Sequence, residues 1–204
     1  MDGIYIIGQQ TPPGTISVGA GESVAMTLVI MPGVSCDIRL DVALVGEGAS
    51  FDLSGVYMCG SDEKVAITVN LTHKVGGCRS SQLFKGLVGG NARTDFSGRI
   101  VVEQDAQKTE AYQACHNILL SDGARAVTSP QLEIYADDVK CSHGATSGML
   151  SEEEQFYMRS RGISLKEARV LQMISFVSPV LDTVSDPDGR RSLAARLEEA
   201  VRSL

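Results

Sequence analysis

The sequence has no tryptophan and only five phenylalanines and five tyrosines. Its interior therefore has to be filled mainly by Val, Ile, Leu and Ala. That scarcity of ring volume, together with 21 glycines, suits stacked strands joined by tight turns better than a helical bundle. Clustered Lys and Arg are also missing: 18 basic residues face 25 acidic ones, for a net charge of −7. A nucleic-acid partner is excluded on that ground, because phosphate binding needs a basic patch. No apolar run approaches the roughly 20 residues of a membrane span. The start, Met1-Asp2-Gly3-Ile4-Tyr5-Ile6-Ile7, lacks the basic flank and long apolar stretch of a signal peptide. A cytoplasmic protein with no membrane partner is expected.

Cysteine pairs are absent as well. Cys36, Cys59, Cys78, Cys115 and Cys141 are odd in number and never spaced C-x-x-C, which argues against a disulfide framework and a zinc ribbon. They read as free thiols, each first of all a small buried hydrophobe. Nor is there a G-x-x-x-x-G-K-S/T loop, so the chain carries no ATP chemistry of its own.

What is present is a series of short alternating runs from Ser23 to about Gly144. Val24 to Ile30, Cys36 to Leu44 and Val65 to Leu71 each read as strands. Pro32-Gly33, Gly46-Glu47-Gly48, Gly76-Gly77, Gly89-Gly90-Asn91 and Ser121-Asp122-Gly123 punctuate them as turns. The turns recur with their flanks. Val45-Gly46-Glu47-Gly48-Ala49-Ser50-Phe51-Asp52-Leu53-Ser54-Gly55 aligns with Val88-Gly89-Gly90-Asn91-Ala92-Arg93-Thr94-Asp95-Phe96-Ser97-Gly98, and Leu120 to Ala126 is a weaker third copy. A turn, a small corner residue and an alternating strand, repeated, predict a mainly β, stacked solenoid. A β-sandwich with similar hairpins is the alternative.

At Gly148 the character changes. Ser151-Glu152-Glu153-Glu154 and Ser164-Leu165-Lys166-Glu167 are capping boxes that open two helices. Gly162 stops the first. Leu165, Ala168, Leu171 and Ile174 mark one face of the second, with Pro179 just past its expected end. Asp186-Pro187-Asp188-Gly189 reads as a turn or linker before a terminal amphipathic helix bearing Leu193, Leu197, Val201 and Leu204, docked or frayed. The expected organisation is a β-helix core over 1–148, a helical hairpin over 149–184, and a linker with a terminal helix over 185–204.

Several runs also carry a resemblance. They are Lys108-Thr109-Glu110-Ala111-Tyr112-Gln113, Asn117-Ile118-Leu119-Leu120-Ser121 and, above all, Pro130-Gln131-Leu132-Glu133-Ile134-Tyr135-Ala136-Asp137-Asp138-Val139-Lys140-Cys141-Ser142-His143-Gly144-Ala145-Thr146. With Arg79 to Gly86 before them and Phe156 to Ile163 after, they make the chain resemble the SufB/SufD family of iron–sulfur cluster assembly scaffolds over roughly Val65 to Val184. Asp-Asp-Val-Lys-Cys-Ser-His-Gly-Ala-Thr points to the SufD branch. The resemblance implies a right-handed parallel β-helix that pairs with a SufB-like paralogue and docks a SufC-like ABC ATPase through its helical tail, a scaffold and not an enzyme. It implies a transient iron–sulfur cluster at a partner interface, with none tightly bound to the isolated chain. Members of the family usually have a further N-terminal helical region and a longer β-helix, so a short relative or a fragment of the core is expected.

Within that frame, Cys141 and His143 lie two apart on a strand, so sulfur and imidazole share a face. Both are candidate metal ligands, to be completed by the partner, with His143 the likelier interface residue of the two under the resemblance. Phe156, Tyr157, Arg159 and Arg161 are candidate contacts for the ATPase; alternatively Phe156 and Tyr157 cap the open end of the solenoid. Asp137-Asp138 reads as a turn, and Cys115, His116 and His73 as structural residues. Two readings from other classes stay open: a polysaccharide-active β-helix enzyme using Asp138, Lys140 and nearby acids, and a homo-oligomeric structural solenoid. The isolated chain is also expected to be capable of forming a homodimer through its strand edge or face.

Overall fold

The computed structural model describes residues 2–204. In chain order it contains β1 (Asp2–Ile6), β2 (Thr15–Val18), β3 (Ser23–Ile30), β4 (Cys36–Leu44), β5 (Ser50–Cys59), β6 (Lys64–His73), β7 (Arg79–Val88), β8 (Arg93–Val102), β9 (Glu110–Leu119), β10 (Arg125–Ile134) and β11 (Lys140–Gly148), followed by α1 (Glu152–Ser160), α2 (Leu165–Asp182) and α3 (Pro187–Ser203). Odd strands form one sheet, ordered β1-β3-β5-β7-β9-β11, and even strands a second, ordered β10-β8-β6-β4-β2. Every pairing is parallel. The chain thus crosses from sheet to sheet at each turn and climbs one coil for every two strands, which is a parallel β-solenoid. A sandwich of antiparallel hairpins is excluded.

The repeat seen in the sequence has an unexpected phase. Ala49 precedes β5 in the odd sheet, whereas Ala92 precedes β8 in the even sheet. The two copies are one and a half coils apart, so the repeat records the pseudo-two-fold likeness of the solenoid's opposite corners. Ala49, Ala92 and Ala124 are all fully buried, because a corner that turns onto the next sheet leaves room for a methyl group and little more.

Two apolar layers hold the fold. Between the sheets lie Leu28, Leu40, Phe51, Leu53, Tyr57, Ile67, Leu71, Phe84, Phe96 and Ile100, among others, with Phe84 of one sheet and Phe96 of the other at a centroid separation of 4.7 Å. Each such side chain contributes about 1.5–3 kcal/mol of burial. The second layer lies outside the odd sheet, where Val29, Val56, Met58 and Leu87 meet Val170, Met173, Val177 and Val180 of α2 and Leu193, Leu197 and Val201 of α3. This explains why β5 is buried on both faces while β4, β6 and β8 alternate. Ser54 of the same face takes a hydrogen bond from Thr183 Oγ1 at 2.7 Å.

The helical segment departs from the sequence expectation in four respects. Pro179 lies inside α2, not beyond it. A proline there leaves the carbonyl four residues back without its usual donor, and the Ser178 hydroxyl supplies one, donating to Ser175 O at 2.9 Å. The buried stripe of α2 is Ala168, Val170, Met173, Val177 and Val180, whereas Leu165 and Leu171 are 45% and 41% exposed. Asp186 to Gly189 is no linker: Asp186 is the N-cap of α3, accepting from Gly189 N at 2.8 Å, and Pro187 opens the helix. Finally, the serines of both boxes cap their helices, accepting from Glu154 N and Glu167 N, but the glutamates reach onward. Glu154 accepts from Gln172 of α2 at 2.7 Å, and Glu167 from Arg202 of α3 at 3.0 Å. No helix of the described residues is long and apolar enough to cross a membrane.

Candidate functional site

The upper end of the solenoid is open. β10 pairs only with β8, and β11 only with β9, so both last strands present an unpaired edge. Cys141 and His143 sit in register with Ala111 and Gln113, and Ala145 and Ser147 with Cys115 and Asn117. Those four β9 residues point between the sheets and are buried. Their β11 counterparts occupy the same inward row one coil higher, yet Cys141 is half-buried and His143, Ala145 and Ser147 are exposed, because no further coil covers them. Across from them, β10 leaves Ala126, Thr128, Pro130 and Leu132 half-buried and Ile134 exposed. The end of the solenoid is therefore an uncovered cross-section of its own core, with a thiol and an imidazole in it.

Cys141 is not poised as a thiolate. Burial pushes its thiol up, partly offset by a hydrogen bond with the Ala111 backbone, so it becomes a ligand only when a metal displaces its proton. Among the described residues no group of three or more His, Cys, Asp or Glu side chains gathers to hold a metal. Cys141 and His143 are at most part of a ligand set.

The other thiols and imidazoles lie elsewhere. Cys59 is fully buried and pushed up to about 12 by burial and by the nearby Glu63 carboxylate. Cys115 belongs to an internal polar network in which Tyr57 donates to Asn117 Oδ1 at 2.5 Å and Asn117 donates to Thr128 Oγ1 at 3.2 Å. His116 points outward, 2.7 Å from Thr146 Oγ1. His73 is buried against Ser80 at 2.8 Å.

Asp137 and Asp138 occupy the turn between β10 and β11, and Asp138 shares a pocket of about 150 Å³ with Glu110 and Lys140; Lys140 is tied to Glu110 at 2.9 Å, and the pocket is small against the roughly 300–1,000 Å³ of an ordinary ligand site. Glu63, not singled out in the sequence, is a buried carboxylate that accepts from Gly33 N, Gly60 N and Ser61 N at 2.8, 3.3 and 2.7 Å. Burial raises its pKa, but these amides together outweigh that and hold it below the usual value. It pins a turn of one coil to the turn below and is structural.

The second candidate surface is α1. This helix has no buried residue, and Phe156 and Tyr157 are 74% and 60% exposed. They do not cap the solenoid. Arg161 stacks on the Tyr157 ring at 5.3 Å and donates to its hydroxyl at 3.3 Å, and Arg159, two residues from each, is also exposed. Between α1 and α2 a groove of about 530 Å³ is lined by Tyr157, Met158 and Leu171 with Glu153 and Glu154 on its rim. The exposed Leu171 thus has a place in a surface feature, which strand and helix periodicity alone did not reveal.

Residues 15–176 match the family described as SUF system FeS cluster assembly, SufBD core domain. The chain is 38% identical over 154 residues to the iron-sulfur cluster assembly protein SufD of Escherichia coli, covering 76% of this chain and 36% of that protein. It is 42% identical over 134 residues to an iron-sulfur cluster assembly SufBD family protein of Synechocystis, covering 66% and 28% respectively. With the SufD of Plasmodium falciparum it shares 34% identity over 154 residues, 74% of this chain and 10% of that one. The chain spans about a third or less of these three relatives' lengths, and its uncovered coil and exposed α1 both lie within or beside the matched region. On the solenoid, the match and these identities together, the chain belongs to the SufB/SufD core family.

Proposed function

We propose that this chain is a SufD-like scaffold for iron–sulfur cluster assembly, not an enzyme, whose open last coil docks a SufB-like paralogue. The observation that carries the reading is the uncovered inward row of β11. A second solenoid placed end to end would pair with the β10 and β11 edges, bury Ile134, and enclose His143 and Cys141 with residues of its own. A nascent cluster, as cargo, would then take His143 and, once deprotonated, Cys141 as ligands from this side, the rest coming from the partner. Five free thiols suit a reducing cytoplasm. The α1 surface, with Phe156, Tyr157, Arg159 and Arg161, is proposed to dock a SufC-like ATPase, since an exposed aromatic pair flanked by arginines is the composition of an interface hot spot.

Coexpression with SufB- and SufC-type partners tests both parts. The expected result is a three-component complex. In it, His143→Ala keeps the complex but lowers assembled cluster, read by iron and sulfide content, about tenfold, as loss of one ligand from a shared set does. Loss of the complex itself would make His143 a packing residue. Phe156→Ala is expected to weaken ATPase capture about tenfold or more while leaving the SufB-type pairing intact; unchanged capture would remove α1 from the interface. The same open end also fits a second copy of this chain, so a homodimer that persists when the SufB-type partner is in excess would favour the structural-solenoid reading.

A further inference from the structure

The outer face of the even sheet carries a second surface feature. Lys64 of β6, Arg93 of β8 and Arg125 of β10 are in register on consecutive coils, all exposed. Parallel strands place them about 4.8 Å apart in a straight column along the solenoid axis. Like charges directly opposite each other on neighbouring strands destabilise a sheet, and elsewhere this protein avoids them. The corresponding first position of the odd sheet reads Arg79, Glu110, Lys140, with the glutamate interposed and bonded to Lys140. On the even sheet itself Arg39 is paired with Asp41 at 3.1 Å and Arg99 with Glu133 at 2.6 Å. Among the described residues, Lys64, Arg93 and Arg125 form none of the ion pairs. Arg125 Nη1 donates only to the carbonyls of Asp122 and Ala124.

The column borders a groove of about 820 Å³ that also includes Asp37, Asp95, Ala66, Val127 and the half-buried Cys36. Asp37 and Asp95 share one register row, two residues along the strand from the cations. The face therefore carries one positive line with acids beside it. A broad polyanion such as a nucleic acid would meet those acids and a net charge of −7, whereas a narrow ligand can follow the positive line alone. Three cations spread along a line, and not converging on a point, match an extended run of Glu, in which alternate residues on one face repeat about every 6.6 Å and the long side chains adjust that to the coil spacing of about 4.8 Å.

We propose that the Lys64–Arg93–Arg125 column is a docking site for an extended acidic segment of a partner protein, on the outer face of the even sheet and away from α1, its last cation lying on β10, the strand whose edge is assigned above to the SufB-like paralogue.

The test uses the purified 204-residue chain and a fluorescein-labelled hexaglutamate peptide, followed by fluorescence anisotropy at low salt. Saturable binding is expected, weakened about tenfold by Arg93→Gln, further by Lys64→Gln in the same chain, and by added salt. Arg39→Gln, on the same face but off the column, should bind as wild type. Because Arg93→Gln relieves in-register repulsion, its thermal midpoint should hold or rise by about 2 °C. The proposal is overturned by the absence of saturable binding, by equal weakening in Arg39→Gln, by a lowered midpoint in Arg93→Gln, or by tripolyphosphate binding more tightly than the peptide. The last result would assign the column to a phosphate ligand.

Discussion

A Gly86→Ala chain is expected to unfold with about 3 kcal/mol less stability than the wild type, the sum of an overpacking cost of about 1–3 kcal/mol and a disrupted buried hydrogen bond of similar size. Gly86 lies in register between Tyr57 on β5 and Asn117 on β9, all three on the inward face. A Cβ at Gly86 would sit 2.2 Å from the Tyr57 ring and 2.3 Å from Asn117 Oδ1. Neither neighbour is free to yield. Tyr57 is buried and donates to Asn117, and Asn117 is held in turn by Thr128 of β10. The missing side chain of one coil is thus the space in which the coils on either side join, and Thr128 extends the link to the opposite sheet. Urea denaturation gives the measure: with a slope near 2 kcal/mol per molar, the midpoint should fall by roughly 1.5 M. Tyr57→Phe removes the donor and adds no bulk, so it should cost about 1–2 kcal/mol. A Gly86→Ala midpoint within a few tenths molar of wild type would mean that the coils are not joined in this way.

Gly86 also shows where the sequence stops being readable. Its own strand, Arg79 to Val88, lacks the clean alternation of Val65 to Leu71, whereas the corner alanines at 49, 92 and 124 and the serine caps at 151 and 164 are legible because each is set by residues a few positions away. Its partners Tyr57 and Asn117 are a full coil away on either side, and coil length varies: β3, β5, β7, β9 and β11 begin at Ser23, Ser50, Arg79, Glu110 and Lys140. Register therefore depends on turn lengths that no local pattern fixes. The same limit hid the Gln82–Gln113 bond at 2.9 Å, the Glu63 clamp and the cation column. Cys141 and His143 were legible as a pair on one face from strand alternation alone. That their face is the exposed cross-section of a core follows only from knowing that β11 is the last strand of its sheet. In the helical segment, Leu165 and Leu171 satisfied a helical period but lie off the buried stripe, because α2 is packed by the sheet on one side and by α1 and α3 on others, and a single apolar face does not describe it.

Acid should weaken the fold in a window set by one residue that no proposed function uses. His73 ends β6 pointing inward, fully buried, with Nε2 2.8 Å from Ser80 Oγ and Nδ1 lacking a hydrogen-bond partner. Burial penalises the imidazolium and depresses its pKa to about 4. The unfolded chain titrates near 6.5, so on acidification the unfolded state takes up a proton first. Stability is then complete above pH 6.5 and falls as pH drops toward 4, by about 3 kcal/mol in total at roughly 1.4 kcal/mol per pH unit. Glu63, held below the usual carboxylate range, acts in the same direction, but its contribution is lost only at lower pH, as its own carboxylate protonates. His116, lowered by partial burial and by Lys85, adds a smaller slope, being only partly shielded from solvent. Urea midpoints measured from pH 7 to pH 4.5 should decline steadily in the wild type. His73→Gln should be less stable at pH 7, since the Ser80 contact is altered, but much flatter across the window. The slope and not the absolute stability is the discriminating quantity, because poorer packing shifts all midpoints together, whereas loss of the titrating group removes the pH dependence. An unchanged slope in His73→Gln would move the acid sensitivity to other groups and leave the buried imidazole as packing alone.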